Sequence, residues 1–353
     1  MSQTCMRSMS EQPGAENRAA PVIDAYCHVG LPRFGSAEDA WAVLGQERSP
    51  VQSRVERAVF VLGPRIPDYA TLFGAMQKYG EVVRGIGIPF GDTGEQVLES
   101  VLLQLKAGVL GLRVEPHPLL AQPDILMLLG EWGRWCYAIE AVSTPEVART
   151  LLSWLDRYPE ARVAAPHFLK PRLLLVGDDQ AGGVVRELLS HPRFYPIFSR
   201  HGGLGSRHSY PHEDLLPWVE QVIALVGWDR ILWGSEYPVL FWRDETLGSC
   251  QHWLSALLGG LTPPQLAGYL GGNAMRAIFE VESPPMERVA IPAWVDTQFG
   301  QELARPDRLV PLFPGGVNVP MAVYADLHHR YIAALTDDPL LMFSRFVIRQ
   351  LAD

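Results

Sequence analysis

The sequence predicts an α/β protein, a (β/α)8 TIM-like barrel followed by a mostly helical C-terminal extension. Short apolar runs rich in β-branched residues alternate with longer stretches of helical period, which is the pattern of repeated strand–helix units. The average step between runs is about 30 residues, the length of one strand, one helix and their loops. The eight runs begin near Pro21, Arg57, Val82, Val109, Trp135, Arg162, Phe194 and Arg230. A doubly wound open sheet would alternate in a similar way, but the G-x-G-x-x-G turn that favours it is missing.

Local signals predict helices between these strands. Leu and Val recur at helical spacing from Val97 to Lys106. Thr144-Pro145-Glu146 has an N-cap residue followed by proline at the first helical position, which predicts the start of another helix. Thr262-Pro263-Pro264 predicts a third start, and Gly271-Gly272 predicts the end of that helix.

Composition and periodicity divide the chain into three parts. Residues 1–20 are polar, lack the apolar segment of a signal peptide and are expected to form a disordered leader. Residues 21–282 form the predicted barrel. Residues 283–353 begin with a proline-rich irregular stretch, and helical periodicity resumes from Met321 to Ala352. Helices there would pack on the barrel or on a second subunit, so a homodimer through this extension stays open.

Composition and charge exclude several classes of protein. Thirty Lys and Arg oppose thirty-nine Asp and Glu, a net charge of −9, and no basic run interrupts this acidity. Nucleic acid is therefore not an expected partner. The four cysteines are widely spaced without C-x-x-C, which fits a reducing cytoplasm. The longest uncharged stretch, Leu254 to Met275, is interrupted by prolines and glycine pairs, so no membrane span is expected.

Polar residues follow the predicted strands, and in a barrel of this kind reactive side chains lie at the carboxyl ends of strands. Alternation in the first run places Asp24, Tyr26 and His28 on one side, with Tyr26 and His28 together in the barrel mouth. The later runs end with Arg113, Glu115 and His117, with Glu140, with His167, with Arg200 and His201, and with Glu236.

Three stretches have a recognisable order and spacing. Val22 to His28 reads V-I-D-A-Y-C-H, Ala165 to Pro171 reads A-P-H-F-L-K-P, and Gly227 to Val239 reads G-W-D-R-I-L-W-G-S-E-Y-P-V, with a closing G-G-N-A from Gly271. Together they resemble the amidohydrolase-related superfamily of metal-dependent hydrolases, in particular its branch of sugar-lactone and 2-pyrone-4,6-dicarboxylate lactonases. The resemblance covers about Val22 to Phe279 and implies a barrel enzyme.

The departures from that family concern its metal ligands. Tyr26 stands where the family has its first histidine, Glu236 stands where it has an aspartate, and the fifth-strand histidine is absent beside Glu140. A tight divalent site needs three or four N or O ligands, and the matched positions supply His28 and Glu236, with Glu140 or His167 as additions. We therefore expect no metal and no other cofactor, as the resemblance to the lactonase branch also implies. A single Zn²⁺ or Mn²⁺ is the alternative.

The resemblance implies hydrolysis of a small anionic lactone or related cyclic ester by general acid/base catalysis. Glu236 would take a proton from the attacking water or deliver one to the leaving oxygen. His28 and His167 would polarise the carbonyl group and stabilise the oxyanion.

The candidate substrate-binding residues surround these three. Paired hydrogen bonds from arginines would hold a substrate carboxylate. The candidates are Arg113, Tyr26, Glu140, His117, Arg200 and Arg207.

Other hypotheses remain open at this point. The chain could be a metal-dependent decarboxylase or amidohydrolase, or an inactive barrel that only binds a metabolite or partner. Glu236 could form a structural salt bridge to Arg113, and Arg113 could pair with Glu115. The spacing of His201, His208 and His212 matches no zinc pattern, and with its glycines this loop is interpreted as a mobile lid.

Overall fold

The computed structural model describes residues 20–28, 55–169, 180–203, 206–237, 239–240 and 245–304, with the short segments 309–311 and 318–320. Nearly all of the predicted leader and the helical pattern from Met321 to Ala352 lie outside the described residues. The hypothesis of a homodimer formed through those C-terminal helices therefore stays open.

Eight parallel strands form one sheet, and their spatial order is their order along the chain. The strands are β1 (Ile23–His28), β2 (Arg57–Val61), β3 (Val83–Gly87), β4 (Gly111–Val114), β5 (Trp135–Ala138), β6 (Arg162–Ala165), β7 (Phe194–Phe198) and β8 (Leu232–Trp233). Strand follows strand around a nearly closed barrel, which confirms the predicted fold class. All eight strands begin within two residues of the predicted positions.

Helices follow the strands on the outside of the barrel. They are α1 (Tyr69–Tyr79), α2 (Gly94–Lys106), α3 (Pro116–Ala121), α4 (Pro123–Glu131), α5 (Pro145–Arg157), α6 (Gln180–Ser190), α7 (Leu216–Val226), α8 (Leu247–Leu257), α9 (Pro263–Ala267) and α10 (Ala293–Ala304). Thr144 caps α5 by accepting a hydrogen bond from the Val147 amide, as its sequence predicts. Within the described residues, no helix is long and apolar enough to cross a membrane.

Alternation along the strands produces two apolar layers. In β2, Val59 and Val61 belong to the layer inside the barrel, whereas Ala58 and Phe60 belong to the layer between barrel and helices. Strands buried on both faces read as continuous apolar runs, which is why their pattern was visible in the sequence.

A β-bulge in β1 changes one predicted orientation. Asp24 pairs with Ala58 and Cys27 with Phe60, so three steps along β1 match two along β2. The strict alternation expected for Asp24, Tyr26 and His28 is therefore broken. Asp24 instead shares the register of a residue in the outer layer, while Tyr26 and His28 remain together.

The helix that begins at Pro263 is longer than predicted. It continues through two π-helical turns, Gly268–Gly272 and Met275–Phe279, so the expected end at Gly271-Gly272 is wrong. Gly271 is required for another reason, because a Cβ there would lie 1.7 Å from the Pro21 carbonyl oxygen ahead of β1. The Asn273 side chain donates to the carbonyl oxygens of Trp228 and Ile231, before β8. The G-G-N-A sequence thus joins this helix to the starts of β1 and β8.

The extension contributes one described helix that its sequence did not predict. α10 occupies part of the proline-rich stretch, and its Trp294 stacks on Phe90 with ring centroids 6.3 Å apart. The Trp294 indole also donates to Glu99. The extension therefore packs against the barrel over this segment. Further along the chain, β9 (Leu309–Pro311) and β10 (Asn318–Pro320) form an antiparallel pair.

The close approach of Gly271 to β1 can be tested by adding a methyl group. We expect Gly271→Ala to lower the free energy of unfolding by about 3 kcal/mol or more, because the contact is with backbone that cannot rotate away. Gly74→Ala in α1 is the matched control, since a Cβ there meets nothing within 4 Å. It should be neutral or stabilising by up to about 1 kcal/mol. Urea denaturation measures both, and equal stability of the two variants would contradict this packing.

Candidate active site at the carboxyl ends of the strands

Each of four neighbouring strands is followed, two or three residues later, by a residue with left-handed backbone conformation. The φ angles of Glu140, His167, Arg200 and Glu236 are 52°, 59°, 64° and 56°. These residues follow β5, β6, β7 and β8 in turn. Positive φ in a residue other than glycine costs free energy and clusters at functional sites. Here it marks the mouth of the barrel, where sequence analysis placed all four candidates.

The centre of the mouth is a buried trio formed by His28, His167 and Glu236. Their exposed fractions are 4%, 3% and 2%. Nε2 of His167 lies 2.9 Å from Oε1 of Glu236. The Arg200 guanidinium lies 3.7 Å from the same oxygen. Glu236 therefore contacts His167 and Arg200, rather than forming the salt bridge to Arg113 that was its structural alternative.

Tyr26 connects the two histidines. Its ring meets the His28 ring at a centroid distance of 5.1 Å and the His167 ring at 5.3 Å, in both cases edge to face. Tyr26 is fully buried, and its hydroxyl group has no hydrogen-bond partner among the described residues. The tyrosine at this position therefore brings one phenol ring into contact with both imidazoles.

Burial determines the protonation of these groups. It lowers the pKa of His28 to about 4 and of His167 to about 3, with nearby Arg113 and Arg200 acting in the same direction. Both imidazoles are neutral at pH 7. Burial also raises the pKa of Tyr26 above its usual value, so the phenol keeps its proton.

The contacts of His28 assign its tautomer. Nδ1 lies 2.9 Å from the Val61 carbonyl oxygen, which can only accept a hydrogen bond. A neutral imidazole carries one proton, so that proton is on Nδ1 and Nε2 is an acceptor. The expectation that His28 polarises a carbonyl group by donating to it does not fit this tautomer at pH 7. The phenol of Tyr26, which keeps its proton, is a neutral donor beside it.

Backbone hydrogen bonds across the β1–β8 seam hold these side chains in position. The Glu236 amide donates to the Tyr26 carbonyl oxygen at 2.8 Å, and the His28 amide donates to the Tyr237 carbonyl oxygen at 2.7 Å. Asp24, fully buried, accepts from the Ser235 amide at 2.9 Å and from the Tyr26 amide at 3.1 Å. The sequence indicated only a strand residue at Asp24, because its partner Ser235 lies 211 residues away along the chain.

Arg113 lies at the edge of the site and pairs with Glu115 at 2.9 Å, as one hypothesis expected. Both residues line a cavity of about 300 Å³ together with Arg65, Phe90 and the exposed His117. The trio does not line this cavity. Arg113 is nevertheless close enough to influence the charges of Tyr26, His28 and His167, so it connects cavity and trio.

The remaining sequence candidates are placed less centrally. Glu140 is half-buried at the end of β5. Arg207 is exposed, and its backbone amide donates to Asp214, so the structure does not bring it to the trio. His208 is also exposed, and His201 is buried against Trp253 with stacked rings. The lid hypothesis for this loop stays a prediction.

The donor set in the mouth does not match a compact divalent-metal site. Among the described residues, three His, Cys, Asp or Glu ligand atoms lie within 4.8 Å of one another only in a buried group formed by His201, Glu245 and Cys250. None of its members belongs to the trio. The guanidinium groups of Arg113 and Arg200, which influence both imidazoles of the mouth, also oppose a dication there.

Comparisons with known proteins agree with this architecture. Residues 65–279 match the sequence model of the amidohydrolase family, more than half of the chain. The chain therefore belongs to the amidohydrolase family, and the resemblance seen in the sequence is confirmed. An L-fucono-1,5-lactonase of Burkholderia ambifaria is 30% identical over 156 residues, 42% of this chain and 51% of that protein. The match thus spans about half the length of this relative.

Two solved structures share the fold. A probable 2-pyrone-4,6-dicarboxylic acid hydrolase from Acinetobacter baumannii, with citric acid bound, has a TM-score of 0.51 at 17% identity and covers 72% of this chain and 98% of its own. A putative 2-pyrone-4,6-dicarboxylic acid hydrolase from Pseudomonas putida has a TM-score of 0.50 at 21% identity and covers 74% and 99%. At these identities the likeness establishes the barrel alone.

The buried Asp24 carboxyl makes stability depend on pH. Burial raises the pKa of Asp24 from 3.8 to about 7, so its contribution is fully present below pH 4 and is lost as the pH rises toward 7. Asp24→Asn cannot ionise and should lack this loss. We expect the parent to lose on the order of 3 kcal/mol relative to Asp24→Asn between pH 5 and pH 8. Urea denaturation at both pH values measures the difference, and a constant difference would contradict a protonated Asp24.

Proposed function

We propose that this chain hydrolyses a small anionic lactone or related cyclic ester by general acid/base catalysis in the barrel mouth, without a metal ion. The observation that carries the proposal is the buried contact of 2.9 Å between His167 and Glu236, with an unpartnered phenol and two arginines beside it. The L-fucono-1,5-lactonase relative supports the same reaction class.

Glu236 is the proposed general base. As a water oxygen attacks the lactone carbonyl carbon, the Glu236 carboxylate takes one of its protons. The ring C–O bond then breaks, and the same carboxyl group returns the proton to the leaving alkoxide. One lactone and one water give one hydroxy acid, so the balance needs no further reactant. His167, whose Nε2 atom lies 2.9 Å from Oε1, is the positioning residue for this carboxylate.

Tyr26 and His28 are the proposed contacts for the carbonyl oxygen and for the attacking water. The Tyr26 hydroxyl group donates to the carbonyl oxygen as it becomes negative, a kind of donor that is worth about 10²–10³ in rate when it is preorganised. The Nε2 atom of His28 is an acceptor, so it can hold the second hydrogen of the attacking water. Because both groups are buried, their positions need little rearrangement during the reaction.

Arg113 is the proposed anchor for a substrate carboxylate. Its guanidinium group is 8% exposed and lies between the cavity of about 300 Å³ and the trio. Glu115, its present partner, is considerably more exposed and can turn toward solvent. Arg200, half-buried on the other side, would stabilise developing negative charge near Glu236. Local arginines thus attract an anion despite the net charge of −9.

A metal-dependent decarboxylase or amidohydrolase is the second candidate, and one observation favours it. Nε2 of His28 is left as an acceptor, the state in which an imidazole binds a metal ion. Metal analysis of protein purified without chelator decides between the candidates. We expect substoichiometric metal and unchanged lactonase activity after dialysis against chelator; stoichiometric metal that is lost in His28→Ala would overturn the metal-free proposal.

Replacement of the base tests the chemistry. Glu236→Gln keeps the size of the side chain but cannot accept a proton, so kcat on a panel of sugar lactones and dicarboxylate lactones should fall by about 10²–10⁴. Steady-state kinetics and circular dichroism measure activity and folding. Equal inertness of the parent and Glu236→Gln, with a lactone still raising the melting temperature, would show a binding protein rather than an enzyme.

Removal of the anchor tests the substrate class. Arg113→Gln should raise KM for a carboxylate-bearing lactone by about 10–100-fold, because a charge-assisted hydrogen bond is lost. KM for a neutral lactone of similar size should change little. Arg207→Gln removes one exposed arginine from the same face and is the matched control. A similar rise for both lactones in Arg113→Gln would exclude a carboxylate-binding role.

A further inference from the structure

A second cavity lies on the face of the barrel opposite the candidate active site. Its volume is about 340 Å³, and it opens beside the amino-terminal ends of β4, β5 and β6. Among its lining residues are Trp132, Arg134, Trp135, Glu160, Arg162 and Glu282. We call it the lower cavity. Nothing in the proposed hydrolysis uses this face, so an inference about it does not depend on that proposal.

Four arginines near the strand starts on this face donate hydrogen bonds to backbone carbonyl groups of the chain itself. Arg57 donates to the Glu81 carbonyl oxygen, and Arg84 donates to that of Gly80 after α1. Arg193 and Arg230 donate to carbonyl groups in and after α5 and α6. Carbonyl groups at helix ends lack helical partners and carry partial negative charge, so these four arginines stabilise the fold.

Arg134 and Arg162 are different. Neither forms a hydrogen bond or an ion pair with the described residues, although Arg134 is only 8% exposed and its buried Nε has no partner. Each lies over an indole ring, Arg134 over Trp132 and Arg162 over Trp135, with the guanidinium carbon 5.8 Å from the ring centroid in both pairs. A guanidinium group that is removed from water without an acceptor costs free energy, which a bound acceptor would recover.

The contacts with the indole rings leave the donors of the two guanidinium groups available to an anion. A guanidinium group carries its N–H donors in one plane, which suits a planar oxyacid. Arg162 pairs in register with Trp135, the residue after Arg134, so the two cations arise from neighbouring positions on adjacent strands. The two acidic lining residues, Glu160 and Glu282, are exposed at the rim, and neither forms an ion pair with Arg134 or Arg162.

We propose that the lower cavity is a binding site for a small organic anion, whose carboxylate or phosphate group is held by Arg134 and Arg162. The tryptophans form an apolar wall for the body of the ligand, and the rim carboxylates accept from its hydroxyl or amino groups. The size of the cavity fits a metabolite rather than a macromolecule. This site is separate from the mouth, so its ligand is not the substrate in transit.

Isothermal titration calorimetry on the full chain, with citrate and inorganic phosphate in a non-anionic buffer, tests the proposal. Both probes supply the shared oxyanion chemistry, and citrate adds an organic body. We expect binding of citrate to be tighter than that of phosphate. Arg134→Gln and Arg162→Gln should each weaken the affinity about tenfold or more, since each removes charge-assisted hydrogen bonds. Arg134→Lys keeps the charge without the planar donors, so its affinity should lie between those of the parent and Arg134→Gln.

Two controls separate this site from the mouth. Arg149→Gln removes an exposed arginine from α5 and should leave the affinity unchanged. Calorimetry should show the same tight binding event in the parent and in Arg113→Gln. Tryptophan fluorescence, recorded in parallel, should change equally in both, because Trp132 and Trp135 line the lower cavity. Loss of that event in Arg113→Gln, with its persistence in folded Arg134→Gln and Arg162→Gln, would assign the anion to the mouth and overturn the proposal. Failure of both probes to bind at tens of millimolar would overturn it as well.

Discussion

The seam between β1 and the segment after β8 is the constraint on which the mouth depends. A barrel is closed only when its first and last strands meet, and here β8 has just two residues. Backbone hydrogen bonds beyond the end of β8 also connect it to β1. The Glu236 amide donates to the Tyr26 carbonyl oxygen, and the His28 amide donates to the Tyr237 carbonyl oxygen. The same hydrogen bonds therefore connect the ends of the barrel and hold residues of the trio in position. A substitution that opens the seam would remove the site without touching its side chains.

Small and polar residues make this seam possible. An added Cβ at Gly234 would lie 2.8 Å from the Tyr26 Cβ, so the last strand can approach the first only without a side chain there. The Asp24 carboxyl group accepts hydrogen bonds from two backbone amides, that of Tyr26 at the bulge and that of Ser235 after β8. Buried polar groups are costly when they are unpaired, which is why this arrangement has little freedom to vary.

Opposite faces of the barrel use arginine in opposite ways. Four arginines on the lower face donate hydrogen bonds to carbonyl groups in or near helix ends, whereas Arg113 and Arg200 in the mouth face titratable side chains. The mouth arginines help keep His28 and His167 neutral, so the site offers donors and acceptors rather than imidazolium charge. The net charge of the chain says nothing of this, because interactions in a buried site are screened far less than those across the surface.

The sequence by itself determined the eight strand–helix units, the family, and the strand ends that carry the candidate residues. Strand period, strand length and cap residues are local properties, so the strand starts, the cap at Thr144 and the positions of His167 and Glu236 could be derived from neighbouring letters. Tertiary structure alone decided the bulge that turned Asp24 away, the tautomer of His28, the exposure of Arg207 and the continuation of the helix past Gly271. Each of these depends on a partner distant in the chain, and one-dimensional periodicity carries no information about which distant backbone atom will stand within 3 Å.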